Sequence, residues 1–258
     1  MSFPLIYCNG DSYSDENYSA PIMQGNTYAH VVGQLLNGYV INHARGGSCN
    51  RRILRSATHD LLQQRELNPD QQIIALINLS FEIRDEIWVE DIKQDRESYE
   101  SNFRTHQFSE MLDWRERLLN NQNILKNHSL HINQKYLKKW SEGRAYFYSP
   151  YAERINLAMD LLLFKTLLDQ QNIQYLIFQG LRAESLDNEY LLNFFLSHLP
   201  DTKIFNLENF GFCDWCNNNQ FDTIDSTEPR EIGHYGPDAH RAFAEQVIIP
   251  ALKETRQI

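Results

Sequence analysis

The sequence has 258 residues, and its 24 Lys and Arg against 34 Asp and Glu give a formal net charge of −10 at pH 7. A hydrophobic share of 42% and an aromatic share of 12% supply enough apolar surface for a core, which excludes an intrinsically disordered chain. The acidic balance argues against broad binding of nucleic acid or of an anionic membrane, because both would repel the protein. The length fits one α/β domain.

The first residues lack the basic region and the long apolar run of a signal peptide, and no stretch approaches the ~20 apolar residues of a membrane-spanning helix. We therefore expect a cytoplasmic protein. Four cysteines are too few for a disulfide scaffold. Cys213 and Cys216 have metal-ligand spacing, but a structural zinc site needs about four ligands and the sequence has no second pair of this kind. The prediction is ordinary loop cysteines and no metal.

Predicted strands and helices alternate along the chain. Short apolar runs predict strands at 5–8, 39–41, 73–77, 175–178 and 203–205. Apolar residues at helical spacing predict helices at 27–36, 50–64, 152–169 and 237–252. This alternation indicates an α/β fold with a parallel sheet that is covered by helices on both faces.

Residues 85–149 interrupt the alternation. They are rich in charge, include Trp88, Trp114 and Trp140, and read as mainly helical. No linker rich in Pro, Gly and Ser bounds them, so we predict a helical insertion within a single domain spanning 1–258. The insertion either covers the substrate as a lid or extends the core.

Ligands of open parallel sheets bind beyond the carboxyl ends of the strands, and three motifs fall at such ends. The first is Gly10-Asp11-Ser12, directly after the first strand. A serine on a tight turn there exposes its hydroxyl, and the backbone N–H groups beside it can stabilise an anion. Taken alone, the Asp-Ser pair also fits a helix N-cap.

The second motif follows the second strand and runs from Asn42 to Asn50. Its adjacent glycines, Gly46 and Gly47, let the backbone approach a ligand closely and aim an amide N–H at it. An equally good interpretation is a strand-to-helix turn in which Ser48 or Asn50 caps the helix.

The third motif lies just before the last helix. Glu231 precedes His234 by three residues, so on a turn its carboxylate can reach the imidazole and orient it as a general base. His240 lies near the start of the helix, and we interpret it as a structural histidine.

In order and position these motifs resemble the sequence blocks of the SGNH (GDSL-like) hydrolase superfamily, over residues 3–83 and 150–252. The resemblance implies a flavodoxin-like three-layer α/β/α sandwich with a parallel sheet of about five strands, and hydrolysis of esters without a cofactor. It makes Ser12 the nucleophile, His234 the base and Glu231 the orienting carboxylate, although the family usually has Asp there. Asp11 and Gly47 would lie at the substrate, with the Gly47 amide holding the oxyanion.

The block after the third strand departs from the family pattern. The family has Gly-x-Asn-Asp, whereas this chain reads Asn78-Leu-Ser-Phe-Glu-Ile-Arg84. The alignment puts Asn78 at the glycine and Ser80 at the asparagine that completes the oxyanion hole. Asn78 is the alternative donor, because residues two apart share a face of a strand. Divergent members, some of them viral, have Thr or Ser followed by Glu and Arg here. Glu82 and Arg84 are therefore candidates for the edge of the site, and an ion pair outside it explains them more simply.

Two functions from different classes follow. The first is a serine esterase that acts on a small-molecule or glycan ester, such as an O-acetyl carbohydrate or a short acyl ester. The second is a catalytically silent protein of the same fold that binds a glycan or a protein partner through this cleft. Neither requires nucleic acid or a membrane, and the sequence does not indicate an oligomeric state.

Overall fold

A computed structural model describes residues 3–18, 21–80, 84–88, 103–107, 150–180, 211–224 and 233–254. The strands are β1 (Leu5–Asn9), β2 (Tyr39–Asn42), β3 (Ile73–Leu79), β4 (Arg84–Trp88), β5 (Phe103–Gln107) and β6 (Gln174–Gln179). The helices are α1 (Tyr28–Leu35), α2 (Asn50–Leu67), α3 (Pro150–Gln170), α4 (Phe212–Asn218), α5 (Pro237–Phe243) and α6 (Ile249–Glu254), and a π-helical turn (Ala244–Ile248) joins α5 to α6.

Four strands form a parallel sheet in the order β2-β1-β3-β6. This order is the one found in flavodoxin-like doubly wound folds, and it confirms the predicted α/β class. Strands β1 and β3 are buried along their whole length, as a sheet covered on both faces requires. The predicted strand at 203–205 lies outside the described residues. At the β6 edge, Gly211 makes an isolated parallel bridge to Gln179.

The core lies in two layers, one on each face of the sheet. Successive residues of a strand point to opposite faces, so Leu76 joins one layer and Ile77 the other. The first layer packs against α1, α4 and α5 and is rich in aromatic residues. The second packs against α2 and α3 and is mostly aliphatic. Helices on both faces give the three-layer architecture.

The expectation that 85–149 is mainly helical is wrong where the structure describes it. Strands β4 and β5 pair in antiparallel register, from Arg84 opposite Gln107 to Trp88 opposite Phe103. Strand β4 lies against α2. The pairing joins stretches distant in sequence, and the charge content of a single stretch does not reveal it. The rest of 85–149 lies outside the described residues.

The last helix begins at Pro237 as expected, but it is not a continuous α-helix. The π-helical turn ends at Ile248, two residues before Pro250. Proline has no backbone N–H to donate to the preceding turn, and a local widening of the helix accommodates that loss. Within the described ranges, no helix is both long and apolar enough to cross a membrane.

The fold fixes where a ligand site can form. Strand β1 lies between β2 and β3 in the sheet. The connection after β1 runs to β2 on one side, whereas the connection after β3 runs to the other side, so the two loops diverge. A crevice opens at such a switch point beyond the carboxyl ends of the strands. The first motif, Gly10-Asp11-Ser12, lies at this point.

Candidate active site

The loop after β1 is a tight turn that presents Ser12. A Cβ atom at Gly10 would lie 2.8 Å from the Cβ of Asn78 on β3, so only glycine fits there. Asp11 is fully buried, and its carboxylate accepts a hydrogen bond from the Tyr13 amide at 3.1 Å. Its carbonyl accepts from the Ser14 amide at 3.0 Å. Asp11 therefore caps a turn rather than the helix that its sequence also fits, and it supports Ser12 from below.

Ser12 and His234 form a hydrogen-bonded pair although 222 residues separate them. The Nε2 atom of His234 lies 2.8 Å from the Ser12 hydroxyl oxygen. The histidine backbone is held in turn, because its carbonyl accepts a hydrogen bond from the Ile224 amide at 2.7 Å. In the tautomer with the proton on Nδ1, Nε2 accepts the hydroxyl proton of Ser12. This is the geometry of a nucleophile beside its base.

Aromatic rings surround this pair. The rings of Tyr13 and Tyr18 lie 4.8 and 4.0 Å from the imidazole of His234, centroid to centroid. A cavity of about 10 Å³ borders the two tyrosines, Ser12 and His234, which leaves room for one water-sized or methyl-sized group. The site is therefore narrow at the reacting hydroxyl.

The loop after β2 is tied to the loop after β1. The amide of Arg45 donates to the Gly10 carbonyl at 3.0 Å, and the amide of Gly46 donates to the Asp15 carboxylate at 2.8 Å. Gly47 follows with φ +79°, a left-handed conformation that favours glycine. Within the described part of the chain, the amides of Ser12 and Gly47 donate to no protein acceptor. Both remain available to an anion.

Neither residue predicted to cap α2 does so. The cap is Cys49, whose Sγ accepts a hydrogen bond from the Arg52 amide at 3.5 Å. The hydroxyl of Ser48 instead donates to the Arg45 carbonyl at 2.6 Å, which closes the glycine loop. Asn50 lies one position inside the helix, so its side chain is directed elsewhere.

Asn50 is a site residue whose role the sequence did not reveal. Its carboxamide oxygen accepts from the Ser80 amide at 2.7 Å, and its Nδ2 donates to the Ser80 carbonyl at 3.1 Å. This two-bond clamp fastens the residue after β3 to the start of α2. Ser80 is thus buried at the carboxyl end of β3, where its predicted role as a third oxyanion donor remains a prediction.

Asn78, the residue two before Ser80 on β3, contacts the Ser12 loop. Its side chain is fully buried and lies beside Gly10 and Gly180, neither of which has a side chain to exclude it. Its Nδ2 donates to the Ser14 hydroxyl at 2.8 Å, and that hydroxyl also bonds the Tyr28 hydroxyl. Asn78 therefore supports the Ser12 loop, and its role as an alternative oxyanion donor remains a prediction.

Of the three remaining predicted residues, the structure describes only Arg84. Glu231 and Glu82 lie outside the described residues. Arg84 is the first residue of β4, the strand after the Ser80 end of β3. Their roles at the site stay predictions.

His240 agrees with the structural interpretation. Its Nδ1 accepts a hydrogen bond from the Tyr28 amide at 3.2 Å, and its ring stacks on that of Tyr28. Burial, and then the neighbouring His234, lower the pKa of His240 to about 3. The imidazole of His240 is therefore neutral and packs in the core.

The two cysteines of the Cys-x-x-Cys motif are buried in α4 rather than in a loop. Burial raises the pKa values of both the Cys213 and the Cys216 thiol, so both stay protonated at neutral pH. A zinc ligand would have to be a thiolate. Across the described ranges, no three His, Cys, Asp or Glu side chains are arranged to hold a metal ion.

No family model matches the chain, and no curated protein matches it. Similar solved structures include a member of the lipolytic protein G-D-S-L family from Veillonella parvula, at 11% identity and a TM-score of 0.41, with 95% of this chain and 96% of that one covered. An acetyl xylan esterase, AlAXEase, has 12% identity and a TM-score of 0.40, with 95% and 98% covered. Another, from the rumen bacterium Butyrivibrio proteoclasticus, has 14% identity and a TM-score of 0.44, with 99% and 64% covered. At these values the likeness is too distant to assign a family or an activity, so the function has to follow from the chemistry of the site.

Proposed function

We propose that the protein is a serine hydrolase of the SGNH type that cleaves a carboxylic ester. The observation that carries the proposal is the 2.8 Å hydrogen bond between the Ser12 hydroxyl and Nε2 of His234. A serine hydroxyl is a weak nucleophile until an adjacent base takes its proton, and this contact supplies the base. The motif order from Gly10-Asp11-Ser12 to His234 supports the same assignment.

The reaction runs through an acyl-enzyme. The Ser12 oxygen bonds to the ester carbonyl carbon while its proton passes to Nε2 of His234. The tetrahedral intermediate collapses, the carbon–oxygen bond to the alcohol breaks, and His234 returns the proton to the departing alcohol. Water then attacks the acyl carbon as His234 takes a proton from it. The acid departs and Ser12 regains its proton.

The oxyanion of each tetrahedral intermediate needs donors that are fixed beforehand. We assign the amides of Ser12 and Gly47 to this role, since neither donates to an acceptor within the described residues. Ser80 is the third donor by its alignment with the family asparagine. Glu231 completes the triad by orienting the imidazole through Nδ1.

The substrate class that fits best is an ester of a short acid, such as an O-acetyl carbohydrate. Among the described residues, the cavity beside Ser12 and His234 is small, about 10 Å³, and this favours a small acyl group such as acetyl. The ring of Tyr18, which is tilted by 30° relative to the imidazole of His234, borders that cavity.

A fluorophosphonate probe tests the proposal. Its phosphorus is attacked by an activated serine, fluoride leaves, and the protein becomes covalently labelled. We expect labelling on the peptide that contains Ser12, and none in Ser12→Ala that circular dichroism shows to be folded. A panel of p-nitrophenyl esters of increasing acyl length, together with acetylated sugars, then defines the substrate. A folded wild-type protein that takes no label and cleaves no ester would favour the silent protein that binds a glycan or a protein partner.

A further inference from the structure

The imidazole of His234 lies between two tyrosine rings. The Tyr13 ring is 4.8 Å from it with an interplanar angle of 19°, and the Tyr18 ring is 4.0 Å from it at 30°. Two rings nearly parallel to the imidazole cannot share one of its faces at these distances without overlapping. Tyr13 and Tyr18 therefore cover opposite faces of the base.

The two tyrosines differ in how deeply they are buried. Tyr13 is 4% exposed and belongs to the aromatic layer of the core, whereas Tyr18 is 48% exposed. The ring of Tyr18 nevertheless has a defined seat. A Cβ atom at Gly46 would lie 2.9 Å from its Cδ2, so the ring rests directly on the glycine loop.

A single loop carries the nucleophile and both rings. Within it the Tyr18 amide donates to the Asp15 carbonyl at 3.4 Å, and the Asp15 carboxylate accepts from the Gly46 amide at 2.8 Å. The loop thus places the Tyr18 ring between the base on one side and the glycine loop on the other.

We propose that Tyr18 is a positioning residue for the esterase reaction and that its ring holds the imidazole of His234 against Tyr13 with Nε2 directed at Ser12. The inference rests on the proposed function. Rotation about the Cβ–Cγ bond of a histidine is soft, and a flat ring confined between two others can turn only with difficulty. The electron-rich faces of the tyrosines also attract the imidazolium that forms when His234 takes the proton. Tyr18 therefore favours the transition state more than the free enzyme.

Kinetics of three variants test the proposal. We expect Tyr18→Leu to lower kcat for p-nitrophenyl acetate roughly three- to tenfold, the worth of one aromatic pair, with KM nearly unchanged. Tyr18→Phe keeps the ring and should restore kcat. The matched control is Tyr39→Leu, because Tyr39 is 42% exposed and opens β2 at the opposite end of the sheet. A loss confined to KM would make Tyr18 a substrate contact and overturn the positioning role.

A second measurement does not depend on activity. The aromatic protons of His234, assigned by their loss in His234→Ala, should be shifted upfield in the NMR spectrum by the two tyrosine rings. Tyr18→Leu should move them downfield, whereas Tyr18→Phe and Tyr39→Leu should not. Unchanged His234 signals in Tyr18→Leu would refute the proposal. If the wild-type protein neither cleaves esters nor takes the fluorophosphonate, the proposed function fails, and the NMR comparison still decides whether Tyr18 holds the imidazole.

Discussion

The Ser12–His234 pair and the cluster of Tyr7, His43 and Asp60 each bring a hydroxyl group and an imidazole together, and they are connected differently. At the candidate active site, the Ser12 hydroxyl bonds Nε2 of His234 at 2.8 Å. On the α2 side of the sheet, the Tyr7 hydroxyl donates to the Asp60 carboxylate at 2.8 Å, and Nδ1 of His43 lies 2.7 Å from the same oxygen. In the second cluster both groups meet the carboxylate rather than each other.

This difference separates a reactive arrangement from a structural one. Burial, and then the charge of Asp60, raise the pKa of Tyr7 well above its usual range. Burial acts to raise the pKa of Asp60 too, but hydrogen bonds from His43, His59 and Tyr7 bring it below its usual range. Tyr7 therefore stays protonated and Asp60 stays ionised. In this cluster the hydroxyl donates to the carboxylate rather than to the imidazole, so the arrangement differs from that of the proposed nucleophile.

Removing each histidine gives the largest expected contrast. We expect His234→Ala to lower kcat for ester hydrolysis by at least about 10³-fold, because Ser12 loses its base. His43→Ala should leave kcat within roughly twofold, since its imidazole serves only Asp60. Steady-state kinetics on p-nitrophenyl acetate check both. Equal losses would mean that the clusters are not functionally distinct.

The two carboxylates, Glu231 and Asp60, give the next comparison. Glu231→Gln should lower kcat strongly, but less than His234→Ala, because the base survives but loses its orientation. The control is Asp60→Asn, which changes the other carboxylate and should leave kcat unaltered. A silent Glu231→Gln together with an inactive Asp225→Asn or Asp238→Asn would show that another acid orients His234.

A third histidine extends the comparison to stability. Since the pKa of His240 is about 3 in the folded protein and near 6.5 when unfolded, the unfolded state binds more protons between these values. Stability is complete above pH ~6.5 and falls by about 1.4 kcal/mol per pH unit as the pH drops below it. His240→Asn keeps an acceptor for the Tyr28 amide but does not titrate. Urea unfolding at pH 6.5 and pH 5 should therefore show a loss about 1.6 kcal/mol smaller in the variant.

A variant whose stability falls in parallel with that of the wild type would contradict this assignment. It would mean that the acid sensitivity comes from other groups and that His240 titrates much as it does in the unfolded chain.

The sequence allowed the sheet and the position of the reacting pair to be predicted, because both depend on local signals. Apolar runs such as Ile73–Leu79 identify the buried strands, and Gly10 marks a turn where β3 passes too close for a side chain. Parallel order then brings the end of β1 and the start of α5 to the same edge. The Ser12 and His234 motifs could be expected to meet there.

Other features depend on contacts that no local pattern encodes. Asn50 looked like a helix cap, and only the approach of Ser80 makes it a clamp. Asn78 fits under the Ser12 loop only because Gly10 and Gly180, both distant from it in sequence, carry no side chains. The seat of Tyr18 requires Gly46 and His234, which are distant in sequence. For these residues the determining partner lies on another loop.

The proposed third oxyanion donor, Ser80, gives the smallest expected effect and tests the point where the sequence departs most from the SGNH pattern that it resembles. Ser80→Ala should lower kcat at least about tenfold with little change in KM, because a fixed donor acts only when negative charge develops. Ser80→Asn should retain activity, since it restores the asparagine of the SGNH pattern.

Asn78→Ala is the comparison two residues earlier on the same strand. The main effect should be a lower Tm, with a smaller effect on kcat. The substitution removes the Nδ2 group that donates a hydrogen bond to the Ser14 hydroxyl, and it leaves a void beside Gly180. If Asn78→Ala lost kcat at unchanged Tm while Ser80→Ala did not, the donor would be Asn78. If neither changed kcat, the amides of Ser12 and Gly47 would hold the oxyanion by themselves.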